Sequence, residues 1–179
     1  MRWTAAVAGA IVGTMKPRET MPVGVVLGRR RIGHKWQEFA WRVADVVPGA
    51  PSLPEWRLLR QDGSDTLYLA TTVSIDLYAG ETPGYRHNLS QRQPVVYVVL
   101  RRDETDSERP VRPFRATVCS AEAQDYLDGD EIVETVPMPA TIADWLRDFV
   151  ARFQVDQAFE KRGRRERDAR RSAEGQGRG

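Results

Sequence analysis

The strongest pattern in the chain is an alternation of apolar and polar side chains between Leu67 and Tyr78. A repeat of two residues is typical of a half-buried strand, because successive side chains of a strand point to opposite faces of the sheet. We therefore predict one long strand, or a bent pair of strands, in this segment. Its apolar face would hold Leu67, Leu69, Thr71, Val73, Ile75 and Leu77.

Other apolar and β-branched segments predict further strands. They cover residues 23–32, 36–47, 95–100 and 114–118, with a short addition at 56–59. Residues 95–100 are apolar on both faces, so we place this strand in the centre of a sheet. The strands follow one another with short turns, one of them at Asp62-Gly63 and another at Thr82-Pro83-Gly84. Short connections favour antiparallel pairing, because parallel strands need long crossovers.

Two helices are predicted in the C-terminal part. Ser120 is a suitable N-cap for a helix over residues 121–127, and Gly129 would end it. Thr141 and Asp144 resemble a capping box ahead of a second helix. An apolar stripe with helical spacing follows, which we expect to pack on the core: Ile142, Trp145, Leu146, Phe149, Val150 and Phe153. The predicted class is α+β, a mainly antiparallel β-sheet of about six strands with a short helix and a long C-terminal helix.

Charge divides the chain into a body and a tail. Residues 161–179 carry eight basic and three acidic side chains, a net charge of +5, which leaves −3 for residues 1–160. We predict a single globular domain over residues 21–160, followed by a basic tail that is a frayed helix or disordered. Residues 1–20 would be a leader outside the domain, disordered rather than an export signal, although the apolar run after Arg2 leaves a signal peptide open.

Composition excludes several classes of protein. A hydrophobic content of 41% with a mean hydropathy of −0.51 does not fit a membrane protein. Cys119 is the one cysteine, so an intramolecular disulfide and a zinc site built on several thiolates are both excluded. We expect a buried, inert thiol in a protein of the bacterial cytoplasm. No residues have catalytic or metal-ligating spacing, and no cofactor is expected.

The segment GVVLGRRRIGHK, residues 24–35, superficially resembles the N-terminal loop of molybdopterin-guanine dinucleotide guanylyltransferases. Such a loop needs glycines, whose backbone N–H groups approach phosphates closely, and cations that neutralise their charge. The candidate nucleotide-binding residues under this hypothesis are Arg29, Arg30, Arg31 and Lys35. The adjacent pair of glycines is missing here, and a strand with a basic edge is the simpler interpretation.

A second resemblance covers residues 21–153. The segments WQEFAWRVADVVPGAP, YRHNLSQRQPVVYVVLR and VRPFRATVCSAEAQDYLDGDEIVETVPMP occur in the order found in domain of unknown function family 3305. Members of that family are bacterial, and their genes often lie beside those of molybdenum-dependent formate dehydrogenases and their accessory proteins. Some members carry a molybdopterin-guanine dinucleotide biosynthesis label.

The resemblance implies a non-catalytic accessory protein in the maturation or assembly of a formate dehydrogenase. A guanylyltransferase of cofactor biosynthesis is the alternative. The expected partner is a formate dehydrogenase subunit or a maturation factor. Nucleic acid is not favoured, because the tail lacks stacking aromatic residues. Weak candidates for binding are Trp36, Trp41, Asn88, Ser90, Asp125 and Tyr126, although core packing, turns and a helix surface explain them equally well.

Overall fold

The computed structural model describes residues 19–34 and 37–153. Seven strands lie in this part of the chain, one more than the six that the sequence predicts. They are β1 (Glu19–His34), β2 (Gln37–Pro48), β3 (Arg57–Asp62), β4 (Asp65–Leu77), β5 (Val95–Arg102), β6 (Val111–Thr117) and β7 (Ile132–Pro137). The strand that the prediction missed is β7, whose short apolar pattern is interrupted by Glu134.

The first four strands form one antiparallel sheet in the order β2-β1-β4-β3. The apolar segment of β1 is buried, and this strand pairs with a neighbour on each of its edges. Strand β3 is the outer strand, and all six of its residues are exposed. The predicted turn at Asp62-Gly63 is confirmed, since Gly63 has a φ of 53° between β3 and β4. A positive φ at the first central position suits a type II′ hairpin turn.

A bulge in β4 changes which side chains face the core. Val25 pairs with Thr71 and Val26 pairs with Leu69, so Ala70 is the additional residue. The core side consequently holds Ala70 at one end of the strand and Ile75 with Leu77 at the other. The alternation was predicted correctly as strand, but its single continuous apolar face is wrong, because a bulge reverses the facing of the residues beyond it.

The remaining strands form a second antiparallel sheet in the order β6-β5-β7. Its centre is β5, as the apolar character of residues 95–100 predicted. The two sheets contact each other where β4 lies against β6 and where β2 lies against β7. At the second junction the backbone N–H of Val43 donates a 2.6 Å hydrogen bond to the carboxylate of Glu134. The core lies between the two sheets.

Three helices close the core. Helix α1 (Thr82–Leu89) follows a single 3₁₀ turn and replaces the turn predicted at Thr82-Pro83-Gly84. A proline is well tolerated in the first turn of a helix, where its missing N–H group has no partner to lose. Helix α2 (Ser120–Asp125) is short, as predicted.

Helix α3 is described over residues 140–153, which is 14 residues. The described part of this helix is short, where the sequence predicts a long C-terminal helix. Its apolar stripe packs on the core as predicted, with Ile142, Leu146 and Phe149 fully buried. Packing of the stripe against the core stabilises the helix over residues 140–153.

Strand β1 begins two residues ahead of the boundary expected at Met21. The carboxylate of Glu19 accepts a 2.6 Å hydrogen bond from the indole N–H of Trp145 and pairs with Arg152. Residues 1–18 and the basic tail at 161–179 lie outside the described residues. Within the described ranges, no helix has the length and hydropathy needed to cross a bilayer.

Candidate functional site

Two of the predicted binding residues, Asn88 and Ser90, serve the fold. The buried Asn88 amide donates to the carbonyl oxygens of Val95 and Val118, both at 2.8 Å, and accepts from the Val95 N–H at 3.0 Å. It therefore joins α1 to the start of β5 and the end of β6. Ser90 follows the last residue of α1, where its hydroxyl donates to the carbonyl of His87 at 2.7 Å.

Two further predicted residues, Asp125 and Tyr126, lie at the C-terminal end of α2. Tyr126 is half-buried, and its ring lies edge-on to Phe114 with 6.1 Å between centroids. Burial raises the pKa of the Tyr126 hydroxyl. Asp125 is exposed at the end of the helix. The structure therefore does not bring these residues together with Trp41, which lies in the four-stranded sheet.

Trp41 belongs to an aromatic cluster that surrounds Arg29. The rings of Trp41, Trp56 and Tyr68 lie 5.7–6.0 Å apart. The Arg29 guanidinium is 4.5 Å from the Phe39 ring centroid and within 6 Å of the Trp41 and Tyr68 centroids. Such contacts stabilise a cation by the ring quadrupoles. Arg29 is thus held on the side of the sheet that carries the aromatic rings, while Trp36 lies outside the described residues.

The glycine-rich segment is a strand rather than a loop. The backbone of Gly24, Gly28 and the residues between them pairs with β2 on one side and β4 on the other. Arg30 forms an ion pair with Asp65 at 2.8 Å, and Arg31 forms one with Glu38 at 3.2 Å. Lys35 lies outside the described residues. N–H groups that are used in a sheet are not available to cradle phosphates.

A polar cluster lies at the junction of β6 and α2, and its members pair with one another. Arg115 pairs with Glu122, and the Thr117 hydroxyl donates to the same carboxylate at 2.6 Å. The Cys119 thiol donates to Glu81 at 3.4 Å. Cys119 is buried, as predicted. Burial raises the pKa of its thiol, which favours the unreactive neutral form.

The outer face of the four-stranded sheet carries a groove that the sequence did not reveal. We name it the arginine groove, with a volume of about 420 Å³. Its apolar floor is formed by side chains from all four strands, and arginines lie around it. The lining includes Val26, Gly28, Ala44, Val47, Leu59 and Leu67 with Arg30, Arg42 and Arg60.

Glycine at position 28 creates the deepest part of the floor. A Cβ atom added there would lie 3.4 Å from Leu67 Cδ2 and 3.7 Å from both Ala44 Cβ and Arg42 Cγ. These are ordinary contact distances, so an alanine would fit but would fill the hollow. At the other end of the sheet the same face is covered, since a Cβ at Gly24 would lie 2.8 Å from Ala50 Cβ. The groove therefore begins where this cover ends.

The charges around the arginine groove are unequal. Arg30, Arg42 and Arg60 line it together with two aspartates, so the net charge is +1, while the Arg29 guanidinium lies on the opposite face among the aromatic rings. Arg30 lowers the pKa of Asp65 by a hydrogen bond and by its charge, and the charges of Arg42 and Arg60 lower it further. Neither Arg42 nor Arg60 has a hydrogen-bond or ion-pair partner among residues 19–34 and 37–153. Two guanidinium groups are left to bind an anion.

Sequence reasoning missed Arg42 and Arg60 because they are isolated arginines on separate strands. Their relation depends on the register of three strand pairs, which a single sequence does not show. Among the described residues, no group of three or more His, Cys, Asp and Glu side chains is placed to hold a metal ion.

Comparison with known proteins gives one match. The family described as "Protein of unknown function (DUF3305)" matches residues 22–164, which is four fifths of the chain. No curated protein and no solved structure matches it.

Proposed function

The chain belongs to the DUF3305 family, and from that premise we propose that it is a non-catalytic accessory protein for a molybdenum-dependent formate dehydrogenase. It would act in the bacterial cytoplasm by binding a subunit of that enzyme, or a factor that matures it. The class of partner follows from the family resemblance described above. The place of binding follows from the surface, and we assign it to the arginine groove.

The observation that carries the proposal is the pair of unpartnered arginines, Arg42 and Arg60, above an apolar floor. Protein interfaces are enriched in arginine and depleted in lysine, because a guanidinium can pair with a carboxylate through two hydrogen bonds while its stem covers apolar surface. The exposed side chain of Leu59 adds apolar area at one side of the groove. A surface of this kind supports binding, and it holds no nucleophile next to a positioned base.

The guanylyltransferase alternative has less support. Of its four candidate residues, Arg29 stacks on aromatic rings, and Arg30 and Arg31 are in ion pairs. The groove could still attract a nucleotide because it is cationic. Magnesium-dependent binding of GTP to the purified protein tests this alternative directly, and saturable binding that is lost in the Arg30→Ala variant would favour it.

Affinity capture from native cells tests the proposed function. The full chain would be expressed with a tag under conditions that induce formate dehydrogenase, and bound proteins would be identified by mass spectrometry. We expect formate dehydrogenase subunits or their maturation factors with the wild-type chain. The double variant Arg42→Glu, Arg60→Glu should lose them, because the new glutamates would face acidic groups of the partner, and like charges at an interface weaken binding strongly.

The matched control is the double variant Arg92→Glu, Arg102→Glu, which changes the net charge by the same amount. Both residues are exposed and lie outside the four-stranded sheet. This control should retain the partner. If the wild-type chain captures no formate dehydrogenase protein under induction, the accessory function is wrong. If the groove variant and the control capture it equally, the groove is not the binding site.

A further inference from the structure

The two unpartnered arginines of the groove lie in one row across the sheet. Gly28 of β1 pairs with Arg42 of β2 on one side and with Leu67 of β4 on the other, and Leu67 pairs with Arg60 of β3. Residues directly opposite each other on neighbouring strands point to the same face. The row therefore reads Arg42, Gly28, Leu67, Arg60: a cation at each end, and a hollow with an apolar wall between them.

The length of this row is set by the sheet. Neighbouring strands lie about 4.8 Å apart, so three steps separate the Cα atoms of Arg42 and Arg60 by about 14 Å. In an extended peptide, residues i and i+4 point to the same side and are about 13 Å apart. Residue i+2 lies midway on that side. Two acidic residues at i and i+4 would thus meet the two arginines, while an aliphatic residue at i+2 would enter the hollow over Gly28.

The neighbouring row explains why the ligand would lie here. Arg30 is opposite both Ala40 and Asp65, and the Asp65 carboxylate neutralises it. The row of Arg42 and Arg60 has no acidic member, although it shares the same face. An acidic ligand would supply the missing charges, and bonds to charged groups contribute more than bonds between neutral ones.

We propose that the arginine groove binds an extended acidic segment of the partner protein, crossing the strands, with the pattern acidic–x–aliphatic–x–acidic. This inference rests on the proposed function for the identity of the partner, but its geometry depends only on the groove. The carboxylates pair with Arg42 and Arg60, and the aliphatic side chain packs against Leu67 and Gly28. Specificity arises because both charges must fit at one spacing.

The test uses a fluorescein-labelled peptide with the central sequence Glu-Ser-Leu-Ser-Glu between serine and glycine residues. Binding to the full chain would be measured by fluorescence anisotropy at low and physiological salt. A peptide of equal composition, with its glutamates adjacent to the leucine, is the control for spacing. We expect the first peptide to bind about tenfold more tightly than the second, since only one carboxylate of the second can reach its arginine.

Protein variants identify the site. Arg42→Ala and Arg60→Ala should each weaken binding about tenfold. Gly28→Ala should weaken it by a smaller factor, since the methyl group fills part of the hollow at ordinary contact distances. The Arg92→Ala variant, remote from the groove, should bind like the wild type. Circular dichroism would show that each variant is folded.

Several outcomes would overturn the inference. Equal binding of the two peptides would mean that the groove attracts negative charge in general and that the spacing of Arg42 and Arg60 does not matter. Absence of binding at millimolar peptide would exclude the pattern. Displacement of the peptide by magnesium GTP at low concentration would identify a nucleotide site instead. If peptide binding weakened as the protein dimerised at higher concentration, the occupant of the groove would be a second copy of the chain.

Failure here and failure of the proposed function can be told apart. If the peptide binds as expected but capture from cells finds no formate dehydrogenase protein, the groove chemistry stands and the assigned partner is wrong. If the partner is captured while the peptide fails, the accessory function stands and its contact is made differently.

Discussion

The two regions of this protein differ in whether selected polar side chains have partners within the protein. In the region of β5, β6 and the three helices, polar groups such as Asn88, Thr117 and Glu122 are paired inside the protein. On the outer face of the four-stranded sheet, Arg42 and Arg60 have no such partners in the described part of the chain. The polar groups of the first region are satisfied within the fold, and the two arginines of the second are the groups that we propose to bind a partner.

The contrast teaches how to interpret exposed arginines. A polar side chain whose donors and acceptors are satisfied locally is explained by stability alone. A charged side chain that is held beside an apolar hollow without a partner has no role in the fold, so binding is the better explanation. Asn88 and Ser90, which the sequence suggested for binding, are of the first kind.

Removing a fully buried aromatic ring from the region of β5, β6 and the three helices should have the greatest effect. Phe149 is fully buried, and its ring contacts those of Tyr85 and Phe153. We expect Phe149→Ala to lower the free energy of unfolding by about 3–5 kcal/mol, from lost burial and the cavity left behind. Urea denaturation measures this. The matched control is Leu127→Ala, at an exposed position, and equal losses would mean that α3 does not pack on the core.

A smaller loss is expected at Asn88. Its replacement by alanine removes three hydrogen bonds and leaves buried groups of Val95 and Val118 without partners, which we expect to cost about 2–3 kcal/mol. Ser90→Ala, at the end of the same helix, should change the stability by less than about 0.5 kcal/mol. Chemical denaturation compares the two variants. If Asn88→Ala left stability unchanged while partner capture fell, Asn88 would be a binding residue after all.

The smallest changes in the free energy of unfolding are expected when an arginine is replaced by alanine in each of the two regions. Arg115→Ala leaves the half-buried Glu122 carboxylate without its ion pair, at an expected cost of about 1–2 kcal/mol. Arg42→Ala should alter the free energy of unfolding by no more than about 0.5 kcal/mol, because the side chain is exposed and without a partner. Both values come from urea titrations at the same ionic strength. A larger loss for Arg42→Ala would show that this arginine stabilises the fold.

Patterns that repeat along the chain predicted the fold well. The alternation in β4, the apolar run of β5 and the helical stripe ending at Phe153 each act through neighbours in sequence, so one sequence contains them. The helix α1 was missed for the opposite reason. Gly84 looks like a turn residue, but a Cβ there would lie 3.0 Å from the Cys119 Sγ atom, so the glycine allows the helix to approach a distant segment.

The candidate site could not be predicted for a related reason. Arg42, Gly28, Leu67 and Arg60 come from four strands, and a bulge in each of the three strand pairings fixes which residues are opposite. A shift of one residue would turn Arg42 or Arg60 to the other face. Local sequence shows that β2 and β3 each contain arginine, whereas only the register shows that Arg42 and Arg60 face the same hollow.

The open edge of β3 has a consequence for assembly. Growth into a fibre by strand pairing requires two free strand edges on every molecule, because each molecule must pair with a neighbour on both sides. In the described part of the chain the outer edge of β3 is exposed, while β2 lies against β7, with its Val43 N–H bonded to Glu134, and β6 lies against β4. If two molecules paired through β3, the exposed strand edge of each molecule would be occupied. Self-association through the exposed Leu58 and Leu59 would then end at a two-fold pair.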